Sequence, residues 1–396
     1  MSAKKTLILA VVAVALLGAA LWYSAARRPS QEAALQTPAL PGLAERLPAV
    51  QKVTLTGAGD RVIATLEQGE DGWRLVEKDY PADSGALRTL LLGLAEAKRV
   101  QAKTAKPELY DRLGVEDVSA EDAQGVKLTI EGGGEPLAII VGQNVNTGTG
   151  TYVRPAGEAQ SWQIDRNVAV EKNAANWLQK SLTDIQPDRI ASVSVSAGKD
   201  QVEIVASEAD DGDFILANLP RGREPQSAFV ADATAGFLQG LRIDDVAGAE
   251  AQPAQEPQRK AIFRTTDGLD IAVTSWEAEG KSWAQLQASL DEARAGKAIE
   301  AAQAAAKADW EAKQQAADGE EAGDAAGQGE EEGEEVAPEA PLAVSDPAAH
   351  REQRLATLRE EVEALNARFA GHSFQLPTYK AGNLNRELEA YLKPKD

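Results

Sequence analysis

The sequence predicts an α+β protein. It has an N-terminal transmembrane helix followed by two tandem repeated α+β domains of antiparallel strands with packed helices, the second carrying a helical-hairpin insert. Three observations predict this. Residues 6–26 form an apolar run without a charge. The body alternates apolar and polar residues in short runs broken by Gly-Asp turns, then switches to helical spacing. The opening paragraph of the body returns later at one constant offset, with Val53, Asp60, Val62 and Gly72 answered by Val193, Asp200, Val202 and Gly212.

The apolar run, TLILAVVAVALLGAALWYSAA, is preceded by Lys4 and Lys5 and followed by Arg27 and Arg28. A helix of about 20 apolar residues matches the ~30 Å hydrocarbon core of a bilayer. Trp22 and Tyr23 fall at its outer end, where amphipathic rings favour the headgroup layer. The competing reading is a cleaved signal peptide, for which Gly18-Ala19-Ala20 and Ser24-Ala25-Ala26 supply small residues. The length of the run exceeds the roughly 7–15 residues of a signal peptide's apolar core and favours a retained signal anchor over residues 1–28. Basic residues are nearly balanced across it, and the very short N-terminal tail places the long C-terminal part on the outer side.

Residues 29–49 are rich in Pro, Ala and Gln without period and read as a flexible linker. The first α+β domain follows over 50–186, as a three-strand meander and one amphipathic helix with Leu87, Leu90, Leu91 and Leu94 on its apolar face. Asp83 or Ser84 serves as its N-cap. The second domain covers 188–396. Trp73 is answered by Phe214 after a one-residue slip, and Leu91, Gly93 and Leu94 by Leu238, Gly240 and Leu241. The stretches 125–143 and 150–157 correspond to 260–286. Ser161-Trp162-Gln163-Ile164 corresponds to Ser373-Phe374-Gln375-Leu376, each followed by a closing helix.

The second copy is interrupted at about 290–370. This insert opens with an Ala-, Lys-, Glu- and Gln-rich helix former and passes through a Gly-rich acidic stretch. It ends with Leu355, Leu358, Val362, Leu365 and Phe369 on one helical stripe. Two antiparallel helices joined by a disordered acidic loop are expected, with two alternatives: an interaction arm that docks a partner helix as a short coiled coil, or a hairpin folded back on its own domain. Between Gly319 and Glu339 nine residues are acidic (Glu320, Glu321, Asp324, Glu330, Glu331, Glu332, Glu334, Glu335, Glu339) and none is basic.

Over 396 residues the formal net charge is −21, so the surface repels phosphate backbones and nucleic acid is disfavoured as a partner. The chain has no cysteine and only His350 and His372, which removes disulfides, thiolate chemistry and multi-histidine metal sites. No catalytic, cofactor-binding or metal-ligating residue is assigned, and no enzyme activity is expected. The loop Gly142–Gly150 lacks the Gly-Lys-Ser/Thr ending of a phosphate loop and reads as a hairpin connection. Asp210-Asp211-Gly212-Asp213 lacks EF-hand spacing and reads as a turn. The consecutive carboxylates Glu116-Asp117 and Asp244-Asp245 diverge in any regular element. Trp73, Trp162, Trp276 and Trp283 fall on predicted strands, as core anchors or, alternatively, as stacking platforms for sugars.

Several local patterns resemble a known family. They are Gly72-Trp73, Arg112-Leu113-Gly114-Val115-Glu116, Leu137–Gly142 and Thr151-Tyr152-Val153-Arg154. Near the end they are Phe374-Gln375-Leu376-Pro377, Tyr379-Lys380 and Asn383-Leu384. Together they resemble domain-of-unknown-function family 4340, bacterial envelope proteins with a short anchor and a duplicated body. The resemblance implies an accessory or scaffold protein on the periplasmic face of the inner membrane, partnered by an ABC transporter permease or auxiliary subunit. The alternative is a receptor for envelope glycan or exported substrate.

Overall fold

The computed structural model describes residues 35–209, 212–250, 259–321 and 340–394. The expected anchor at 6–26, the acidic stretch from 322 to 339, and Asp210 with Asp211 lie outside them. Among the described residues no helix is long and apolar enough to cross a membrane. The chain forms two compact units, Met1–Gln179 and Lys180–Asp396.

In the first unit the strands are β1 (Lys52–Gly57), β2 (Arg61–Gly69), β3 (Gly72–Leu75), β4 (Tyr80–Pro81), β5 (Arg99–Ala102), β6 (Val126–Glu131), β7 (Leu137–Asn144), β8 (Thr151–Pro155) and β9 (Trp162–Ile164). They make one antiparallel sheet in the order β4-β3-β2-β1-β6-β7-β8-β9-β5. Burial alternates residue by residue along β6, as the period of a half-buried strand requires. Helix α1 (Ser84–Ala95) leaves the sheet after β4. Its N-cap is Asp83, whose carboxylate accepts the Ala86 N–H at 2.9 Å, and it buries Leu87, Leu90, Leu91 and Leu94.

Residues 35–49 correct the expectation of a flexible linker over 29–49. Gln36 N–H and Ala39 N–H donate to the carbonyls of Arg99 and Ala97, both at 2.7 Å, and Pro38 bridges to Lys98 beside the edge strand β5. Ala39, Leu40 and Leu43 are buried. Three apolar side chains within five residues outweigh the Pro- and Ala-rich composition around them.

The second unit contains β10 (Ser181–Thr183), β11 (Ile190–Ala197), β12 (Asp200–Ala206), β13 (Phe214–Leu216), β14 (Leu241–Arg242), β15 (Asp245–Gly248), β16 (Arg259–Thr265), β17 (Leu269–Ala278), β18 (Lys281–Leu290) and β19 (His372–Leu376). Its large sheet runs β13-β12-β11-β16-β17-β18-β19-β15. Each strand sits where its counterpart ten places earlier sits in the first sheet, and only β4 lacks an equivalent. Strands β10 and β14 pair separately, so Lys180 already belongs to this unit rather than to a domain ending at 186.

The register refines the repeat. Val53 opposes Leu66 and Val193 opposes Ile204, which makes those pairs equivalent. A bulge between Leu55 and Thr56 and a tight turn at Ala58–Asp60 lengthen the first hairpin by two residues. Val202 therefore corresponds to Ala64, not to Val62, and the Asp60–Asp200 match is lost. Trp73 and Phe214 do correspond, because Leu75 opposes Leu66 as Leu216 opposes Ile204. The helical match fails in part: helix α2 (Ala228–Ala235) ends before Leu238, and Leu241 lies in β14. The closing helix expected after β9 is a single 3-10 turn, Ala174–Trp177.

The insert replaces the short β8–β9 connection. Helix α3 (Glu292–Glu321) and helix α4 (Pro347–Phe369) run antiparallel, since Glu292 pairs with Arg359 and Glu300 with Arg351. On α4 the stripe residues Leu358, Leu365 and Phe369 are buried. Beyond Ala284, strand β18 has no partner on its β19 side, and α4 takes that place. The Asn366 carboxamide accepts the Ala288 N–H at 2.8 Å and donates to the Ala288 carbonyl at 2.8 Å, standing in for a neighbouring strand. The hairpin thus folds back on its own domain, and the coiled coil is not what its stripe builds. Replacing Asn366 with Ala leaves both buried groups of Ala288 unpaired and should cost about 1–3 kcal/mol, read as a lowered urea midpoint.

Candidate functional site

Three of the family-like patterns converge on one side chain. Arg154, in β8, is 3% exposed. Its Nε donates to the Val115 carbonyl at 2.8 Å, Nη1 to the Glu158 carbonyl at 2.9 Å, and Nη2 to the Asp117 carboxylate at 2.5 Å. Its guanidinium also lies 4.5 Å from the centre of the Tyr110 ring. Tyr110, Val115 and Ile140 form an apolar cluster beneath, with Leu113 and Tyr152 against it. The loop that carries Arg112–Glu116 is thereby fastened to β7 and β8.

Gly142 belongs to the same cluster. A Cβ there would stand 2.3 Å from the Leu113 carbonyl oxygen, so the loop can approach β7 only over a glycine. The adjacent Gln143 N–H donates to Leu113 O at 2.9 Å. In the following loop, buried Thr151 donates to Asn144 Oδ1 at 2.7 Å and accepts from Val168 N–H at 2.8 Å, and Val145 N–H donates to Gly150 O. Gly142–Gly150 is therefore a hairpin connection stitched to its own sheet.

The second unit treats its motif residues alike. Lys380, on α5 (Thr378–Leu384), is buried, and its ammonium donates to the carbonyls of Gly236, Phe237 and Gln239 at 3.1, 2.9 and 2.6 Å. It caps the helical end after α2, where unpaired carbonyls gather. Burial pushes its ammonium below the ordinary lysine range, against an opposing pull from Asp184. Arg189 pairs bidentately with Glu361 on α4 and also with Asp267 at 2.9 Å. These hydrogen bonds, Glu361 foremost, hold the guanidinium above its usual range. Burial would raise the Asp267 carboxyl, but the Thr265 hydroxyl and Arg189 outweigh it and leave it lowered.

The remaining sequence candidates separate in space. Asp117 takes Arg154, while Glu116 turns Oε2 inward without a hydrogen-bond partner. Asp245 accepts its neighbour Val246 N–H, and Asp244 is exposed. Trp162, Trp276 and Trp283 are 3–5% exposed and anchor the core, with Trp276 and Trp283 opposed across β17 and β18. Trp73 alone of the four is half-buried, at the mouth of a cleft of about 530 Å³ beside α1. A second cleft, of about 490 Å³, lies between β17, β18 and the end of α4 and includes Gln285, Asn366 and His372. Among the described residues no group of three or more His, Asp or Glu is placed to hold a metal ion.

A family model described as a domain of unknown function, DUF4340, matches residues 73–260. The match begins at Trp73, contains the whole Arg154 cluster and ends in β16 of the second sheet. It supports the resemblance to that family drawn from the sequence. No curated protein and no solved structure matches the chain.

The roles of Arg154 and Gly142 were not visible in spacing, because the backbone carbonyls of Val115 and Leu113 that they meet lie far away in sequence and a carbonyl has no residue type. The one sign was a buried-strand position occupied by Arg in Thr151–Arg154. Replacing Arg154 with Met should cost about 1–3 kcal/mol for each carbonyl left without a donor, read in urea unfolding. Replacing Asp117 with Asn should cost less than about 1 kcal/mol, because that carboxylate is 70% exposed.

Proposed function

We propose that this protein is a non-catalytic accessory or scaffold subunit of an ABC-type transport system in a bacterial envelope. In this reading residues 6–26 hold it in the inner membrane, and both units stand on the periplasmic side. The observation that carries the proposal is what the family-like residues do. Arg154 and Lys380 each bind backbone carbonyls of their own unit, and Gly142 admits a close backbone contact. These residues build shape rather than a reacting centre, and a protein of that kind acts through its surface.

The membrane tether at residues 6–26 is part of this proposal, and it fits an accessory role. Confinement to two dimensions raises the effective concentration near a membrane partner, so a modest contact between units and permease suffices. The glycan-receptor alternative loses most of its support with Trp162, Trp276 and Trp283 buried in the core.

Crosslinking of the full chain in intact cells, followed by mass spectrometry, tests the proposal. Crosslinks from either unit to a transporter permease or auxiliary subunit are the expected result, and a chain lacking residues 290–370 shows whether the α3–α4 hairpin makes the contact. Recovery of the chain with envelope glycan and with no protein partner would contradict it.

A further inference from the structure

The repeat provides an internal control for the cleft beside Trp73. The equivalent aromatic of the second unit, Phe214, is closed off at 3% exposure, whereas Trp73 is half-buried and open. The difference lies in what surrounds the ring. In the first unit the chain turns at Leu47–Ala49 before entering β1, and α1 presents Leu87, Leu91 and Leu92 across from it. Between them lies a cleft of about 530 Å³ with Trp73 on one wall. That size and apolar lining are those of a small-molecule site, commonly about 300–1,000 Å³ with a few polar groups fixing orientation.

The polar groups here are Gln68, Ser84 and Arg88. Arg88 is exposed, forms no ion pair among the described residues, and follows Leu87 on the helix. No acidic side chain lines the cleft, although the chain carries a net charge of −21. A cation at the rim of an apolar slot whose lining holds no carboxylate favours one kind of ligand. The apolar body packs on Trp73 and the leucines, and an anionic head meets the guanidinium through charge-assisted hydrogen bonds.

We propose that this cleft binds a single-chain amphiphile with an acidic headgroup, an alkyl phosphate or carboxylate taken up one molecule at a time. Glycans lack the apolar body that these walls require, and cationic amphiphiles are repelled at Arg88. The inference is independent of the scaffold reading, because it needs neither a transporter nor a protein partner.

The test uses the full chain in phosphatidylcholine nanodiscs with diazirine-bearing dodecyl phosphate. Matched probes carry trimethylammonium or maltoside heads on the same chain, and labelled peptides are mapped by mass spectrometry. The phosphate probe should label the peptides that carry Trp73 and residues 84–92 at least about tenfold over the peptide that carries Phe214. Arg88→Glu should reduce that labelling by about tenfold with no change in melting temperature, since the side chain is exposed. Equal labelling by the trimethylammonium probe, equal labelling around Phe214, undiminished labelling of Arg88→Glu, or none in the cleft would overturn the proposal.

Discussion

Each sheet depends on its last strand. β9 and β19 come last in sequence among the strands of their sheets, and each pairs on one side with the meander and on the other with the strand that follows the helix. Without them β5 and β15 would have no sheet to join, because no other strand of either sheet pairs with them among the described residues. The residues reflect that position. Ser161 is buried, donates its hydroxyl to the Thr104 carbonyl at 2.7 Å and accepts the Thr104 N–H at 3.0 Å. Trp162 and Phe374 fill equivalent core positions. A strand of three to five residues therefore decides whether a helix-connected edge stays attached.

The same constraint accounts for the hairpin of α3 and α4. The β18–β19 connection is the place where extra chain can leave without disturbing a neighbour, since the two strands pair only over Ser282–Ala284. The excess length of β18 is then covered by α4, with Asn366 supplying the missing backbone partner and Arg189 binding Glu361 from below. An insertion that might have projected as an arm is instead bound to the sheet it interrupts. Between the two helices Glu292 and Glu300 form exposed ion pairs with Arg359 and Arg351, which contribute little individually.

Much of this architecture was legible in the sequence, because strand alternation and duplication are local patterns. The Val53–Val193 and Trp162–Phe374 correspondences fall at equivalent register positions, and the position of the insert follows from them. The Asp60–Asp200 match misled because a bulge adds residues without changing the alternation that a reader follows. The packing of Ala39, Leu40 and Leu43 was hidden in a stretch whose composition suggests a linker. Arg154, Lys380 and Asn366 were illegible as clamps for a physical reason: each binds backbone groups, and a carbonyl has no residue type. The cleft beside Trp73 was equally hidden, since its walls come from three separated segments.

The central claim is that two copies of one sheet are each closed by their own last strand. A chain without cysteine allows a direct measurement, by introducing register-opposed pairs at Gln101 with Gln163 and at Asp245 with Gln375. Directly opposed strand residues place their Cβ atoms about 4.5–5.5 Å apart, close to disulfide geometry. The account predicts that Q101C/Q163C and D245C/Q375C both oxidise to an intrachain disulfide under mild conditions, read as protection from alkylation by mass spectrometry. Free, alkylated thiols in D245C/Q375C beside a formed disulfide in Q101C/Q163C would contradict it, because residues 372–376 would then not close the second sheet.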